Sequence, residues 1–125
     1  MNLLDTDAVI RLLRERRYEV GRITVVTLIE VLRGIEDEKR TEIKGLLEDS
    51  FDRVNLDNKV ITTYCTLYHK LRETGETIPD ADLLIAATAI AHDLPLKTGD
   101  KHFERLEAFG LKIIKLQPSQ LELDE

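Results

Sequence analysis

The chain is poor in cysteine, tryptophan, methionine and proline: it has one Cys, no Trp, one Met and three Pro in 125 residues. A lone Cys65 can form neither an internal disulfide nor a Cys-based zinc site, which suits a reducing cytoplasm. The longest nearly apolar run, Leu83 to Ala91, is far too short to span a bilayer. Met1-Asn2-Leu3-Leu4-Asp5 reaches an acid too soon for a signal peptide, so a cytoplasmic protein without membrane association is expected. Repeats, low-complexity tracts and Pro/Gly/Ser linkers are all missing. One domain over residues 1–125 is therefore expected, with a polar, acidic and frayed tail from Gln117 to Glu125. Basic excess is missing as well. The net charge is −6, which argues against a purely electrostatic nucleic-acid binder unless bound cations neutralise some of the acids.

What is present is charge: 34% of residues are Asp, Glu, Lys or Arg, while apolar residues make up an ordinary 42%. Together with few Asn and Gln, this points toward a thermophilic source. Along the chain, short β-branched or apolar runs alternate with helical periodicity. Strands are expected at Asn2–Leu4, Arg22–Val26, Arg53–Leu56, Leu94–Lys97 and Leu111–Leu116. Between them, helices are expected from Asp5 to about Arg17, over Thr27–Arg33 and from Asp37 to Phe51. Others run from Asp57 to Thr74 with Gly75 as C-terminal cap, over Ala81–His92 behind Pro79-Asp80, and as a turn or two over Lys101–Ala108. Such alternation implies parallel pairing through right-handed crossovers, in a three-layer α/β/α sandwich with a short, mainly parallel sheet. Ligands in such sheets bind at the carboxyl ends of the strands.

Four acids fall at that rim. Asp5 follows the first strand and Asp100 the fourth, while Glu30 and Asp82 sit near helix starts. Each also has a local structural reading. Asp5 and Asp100 are natural N-caps. Thr27-x-x-Glu30 has the form of a capping box. Asp82 favours the helix dipole, although Asp80 is the more natural cap there and leaves Asp82 without an obvious structural task. Jointly, four carboxylates on one rim would repel each other and raise their pKa values. Hard cations such as Mg²⁺ or Mn²⁺, which take oxygen ligands, would relieve that repulsion. Spacing alone leaves the structural and metal-binding readings balanced.

Leu-Leu-Asp5-Thr6, Thr27-Leu-Ile-Glu30-Val-Leu-Arg-Gly34, Asp82-Leu-Leu-Ile-Ala-Ala-Thr-Ala89 and Lys97-Thr98-Gly-Asp100-Lys-His-Phe103 together resemble the PIN-domain family. Within it they resemble the VapC toxins of toxin–antitoxin pairs. The resemblance runs from Asn2 to about Leu116. It implies a PIN-like fold and a metal-dependent endoribonuclease. Asp5 and Asp82 would be the principal Mg²⁺ or Mn²⁺ ligands, with Glu30 and Asp100 completing the site and Thr6 and Thr98 orienting the carboxylates. It further implies cleavage of RNA by a metal-activated water, leaving a 5′-phosphate and a 3′-hydroxyl. The implied partners are an antitoxin whose tail blocks the acidic groove and a second copy in a homodimer. Asp7 and His102 depart from the family's usual residues at their positions.

His69, His92 and His102 are too scattered for a ligand motif, although His102 could touch the site beside Asp100. Arg11, Arg14, Arg16, Arg17 and Arg22 form either a solvated face or, at Arg11 and Arg14, a contact for RNA phosphates. Cys65, with Ile61, Tyr64 and Tyr68, is expected in core or dimer packing. Two other functions compete. Asp5-Thr6-Asp7-Ala8-Val9 and Gly99-Asp100-x-x-x-Glu104 echo haloacid-dehalogenase-type phosphatases, where Asp5 would be nucleophile and Asp7 general acid. That reading gives Glu30 and Asp82 nothing to do. The other is a catalytically degenerate PIN fold that only binds.

Overall fold

The computed structural model describes residues 1–117; the expected frayed tail beyond Gln117 lies outside them. The chain runs β1 (Leu3–Leu4), α1 (Thr6–Glu15), β2 (Arg22–Thr24), α2 (Val25–Leu32), α3 (Asp37–Ser50), β3 (Asp52–Val54), α4 (Asn58–Glu73), α5 (Asp80–Ala91) and β4 (Leu96–Thr98), then a 3-10 helix (Lys101–Phe109) and β5 (Ile113–Lys115). The sheet order is β3-β2-β1-β4-β5, and every pairing is parallel. This is the expected architecture. Its strands are only two or three residues long.

β1 shows why three layers form. Successive strand residues face opposite sides of a sheet, and Leu3 and Leu4 are both 0% exposed. Leu3 joins a core built with Val60, Leu67 and Leu71 of α4 and Leu83 and Ile85 of α5. Leu4 joins another, with Val9 and Leu12 of α1 and Leu47 of α3. A strand apolar on both faces needs helices on both, as parallel sheets do. α5 is buried along most of its length, at Leu83, Ile85, Ala86, Ala87, Thr88 and Ala89, as its nearly all-apolar sequence requires. Burying Leu83 and Ile85 stabilises the fold by roughly 1.5–3 kcal/mol per side chain.

Three local expectations are corrected. α2 begins at Val25, not Thr27, because the Thr24 hydroxyl accepts the Thr27 N–H at 3.1 Å. The Thr27–Glu30 capping box therefore does not form, and β2 stops at Thr24. Asp80 is the first residue of α5 rather than its cap, and its Oδ1 accepts the Tyr64 hydroxyl at 2.6 Å. Cys65 is exposed, so it does not pack in the core. The αL residue Gly75, with φ +73°, follows α4 where a C-terminal glycine was expected.

Candidate active site

The strand order makes β1 and β4 neighbours although they are far apart in sequence, so chain direction across the sheet reverses between them. A crevice opens at the carboxyl ends of strands at such a reversal. Asp5 leaves β1 there and Asp100 follows β4. α2 brings Glu30 and the head of α5 brings Asp82. All four line one cleft of about 310 Å³, with Thr6, Asp7, Ile10, Arg33 and Phe103.

Local and site roles coincide in these residues. Asp5 caps α1, its Oδ1 accepting the Ala8 N–H at 2.8 Å, and it is 4% exposed. Thr98, at the end of β4, accepts the Asp100 N–H at 3.0 Å, and its hydroxyl favours the ionised form of the Asp5 carboxyl. Thr6 donates to Glu30 Oε1 at 2.6 Å, and its oxygen lies 3.2 Å from the Thr27 hydroxyl. Asp100 accepts the His102 N–H at 3.1 Å, the helix-start role expected of it. Asp82 makes no such bond. Its Oδ2 lies 3.2 Å from His102 Nε2, without hydrogen-bond geometry. His102 Nδ1 lies 2.6 Å from Asp100 Oδ1, so the imidazole sits between the two acids and stacks on Phe103.

Burial holds the Asp5 carboxyl toward its protonated form, up to about 6. The Thr98 and Ala8 hydrogen bonds oppose that shift, and the charges of Asp7 and Asp82 add to it. Burial likewise raises Asp82, with His102 opposing and Glu30 and Asp100 reinforcing. Carboxylates raised by burial and by one another gain from a cation among them, and an all-oxygen donor set suits a hard one. The residues therefore fit a hard divalent cation. Among the described residues, no three His, Cys, Asp or Glu side chains already converge in coordination geometry.

Thr6 bonds Glu30 and Thr98 takes the Asp100 N–H. Arg11 and Arg14 do not reach the cleft. Arg11 lines a separate groove between α1 and the C-terminal segment, with Glu15, Glu19 and Lys97, and donates to the Gln117 carbonyl; Arg14 is exposed on α1. Among the described residues, the arginine or lysine lining the cleft is Arg33, which the sequence motifs did not single out. Its spacing of three from Glu30 on a helix was the available signal. Asp7 is exposed at the rim and lines the same cleft as the four acids.

The PIN domain family model matches residues 3–108. Ribonuclease VapC1 of Methanocaldococcus jannaschii is 40% identical over 115 residues, covering 89% of this chain and 85% of that protein. The structure of VapBC-5 from Mycobacterium tuberculosis, a member of the VapBC family of toxin–antitoxin systems, superposes with a TM-score of 0.67 at 26% identity over 94% of this chain and 98% of the other. VapBC-1 from nontypeable Haemophilus influenzae shares the fold, with a TM-score of 0.78 at 21% identity over 91% of this chain and 96% of the other. Domain model, relatives and the acids at the strand ends agree: this chain belongs to the PIN-domain family.

Proposed function

We propose that this chain, acting as one nuclease domain, is a divalent-cation-dependent endoribonuclease and the toxin of a toxin–antitoxin pair. The observation that carries the reading is the cleft itself. Asp5, Glu30, Asp82 and Asp100 arrive from four separate segments and line one depression at the strand ends. The substrate class is taken from the relative named as a ribonuclease, and the partner class from the toxin–antitoxin relative.

Asp5 and Asp82 are the principal ligands, completed by Glu30 and Asp100. Thr98 takes the Asp100 N–H and favours an ionised Asp5, and Thr6 fixes Glu30. When bound, Mg²⁺ or Mn²⁺ would supply activation of a water and stabilisation of the leaving oxygen. The chain's residues orient the ligands, while burial raises the pKa of Asp5 and Asp82, so a bound cation would be what keeps them ionised. An antitoxin tail that fills the acidic cleft would silence it. No described helix is long and apolar enough to cross a membrane, and a reducing cytoplasm suits the exposed Cys65 thiol. A homodimer is part of the same reading, supported by an uncovered apolar stripe on α4 that includes Ile61 and Tyr68.

The test is cleavage of labelled single-stranded RNA by the purified protein with Mg²⁺ or Mn²⁺. Asp5→Asn and Asp82→Asn should abolish cleavage while circular dichroism stays native. Undiminished cleavage by either variant, or by the wild type in excess chelator, would sink the proposal.

A further inference from the structure

We propose that Arg33 is the substrate-positioning cation of this site, its guanidinium gripping a phosphate of the RNA strand beside the bond to be cut. The inference rests on the ribonuclease reading and deepens it. An acidic cleft whose charge one divalent cation neutralises only in part still repels a phosphodiester, so a fixed positive group at its rim helps to seat the strand. Among the described residues lining the cleft, Arg33 is the one arginine or lysine. Its side chain is 71% exposed, and the head lies 3.6 Å from Glu30 Oε2, an ion pair without a hydrogen bond. Glu30 is meanwhile held by Thr6 through its other oxygen. An exposed pair of this kind is worth little and breaks readily.

Other arginines are committed elsewhere: Arg40 to Asp37 and the carbonyls of Leu32 and Ile35, Arg105 to Glu76 and the Thr77 carbonyl, Arg72 to the Tyr68 hydroxyl. Arg33 is different in having its planar fork of donors open at the mouth of the acid cleft. That fork matches two oxygens of a phosphate. Its place at the C-cap of α2 favours a cation through the helix dipole. The dipole does not explain why the head reaches back to Glu30 and the cleft, however. His102, the other group that can carry positive charge here, faces Asp82 and Asp100 with its two ring nitrogens.

The experiment compares Arg33→Ala, Arg33→Lys and a control of equal charge change, Arg53→Ala, whose residue pairs with Glu48 outside the cleft. Arg33→Ala should raise KM for a short single-stranded RNA about ten- to a hundredfold, the worth of a charge-assisted hydrogen bond, with a smaller effect on kcat. In a cleavage-dead Asp82→Asn background with Mg²⁺, anisotropy titrations across KCl should show the salt slope reduced by about 0.7. Arg33→Lys should keep the slope and lose part of the affinity, and Arg53→Ala should match wild type in KM. Mn²⁺ affinity of Arg33→Ala should be undiminished, since Glu30 loses only a counter-charge. Unchanged KM and salt slope in Arg33→Ala would overturn the inference, as would an equal effect from Arg53→Ala. Weakened Mn²⁺ binding with unaltered KM would also overturn it, by showing that Arg33 merely holds Glu30. A wild-type protein that cleaves no RNA would instead remove the ribonuclease reading, and this inference with it.

Discussion

Asp5 carries the strongest single consequence. Its carboxyl is held near pH 6 against an ordinary value of 3.8, chiefly by burial. The folded state thus binds the proton more tightly than the unfolded chain. The stability it contributes is full below the ordinary value and is lost as pH rises through about 6. By linkage the loss is about 3 kcal/mol across that window. Asp5→Asn keeps a side-chain oxygen for the Ala8 N–H and removes the buried charge. Metal-free Asp5→Asn protein should therefore be more stable than wild type at pH 7.5 by a few kcal/mol, and nearly equal to it at pH 4. Urea unfolding at the two pH values checks this, and equal wild-type and variant midpoints at pH 7.5 would refute it. Mn²⁺ affinity of the wild type should fall as pH drops through about 6, because the proton and the cation compete for one carboxylate. At this scale the sequence was legible for Asp5 and Asp100, because each caps a helix start as well as lining the cleft. Asp5 both caps α1 and lines the cleft. Arg33 and the bridging position of His102 were not legible, since long or rotatable side chains take their direction from neighbours on other elements.

Among the elements, α2 best shows how a wrong boundary can leave a site intact. Val25 and Val26 are β-branched and read as the end of a strand. In the fold, the Thr24 hydroxyl takes the Thr27 N–H and starts the helix there, with Val26 buried in one core and Leu28 and Val31 in the other. Tertiary burial outweighed intrinsic preference. Glu30 still faces the cleft, because spacing along the helix, not the cap, decides its face. The cap does hold the element. Thr24→Val keeps the shape but leaves the Thr27 N–H buried without a partner, which costs about 1–3 kcal/mol. Thr24→Ser should recover most of that stability, since a serine hydroxyl caps as well. Denaturant midpoints separate the three proteins, and a Thr24→Val variant as stable as wild type would show that the cap contributes nothing.

The whole molecule was legible in its layers and less so in its outer surface. Alternating strands and helices fix a parallel sheet, and a parallel sheet gathers its strand ends on one rim, which is why Asp5 and Asp100 meet. Surface pairing obeys no such rule. α4 carries two apolar stripes. Val60, Leu67 and Leu71 turn inward, as a core-facing stripe should. Ile61, Cys65 and Tyr68, at helical spacings of four and three, turn outward, with Ile61 54% and Tyr68 38% exposed. A second copy of the chain can cover this outward stripe if each partner loses about 800 Å². On that basis the wild type should sediment as a dimer at about 10 µM, a concentration at which a weak association already shows. Ile61→Asp would place a charge within the apolar stripe, where it lacks a partner. The variant should run at half the mass while its far-ultraviolet circular dichroism stays native, because Ile61 contributes little to the core. A wild type that is monomeric at that concentration, or an Ile61→Asp protein that stays dimeric, would assign the stripe to some other contact.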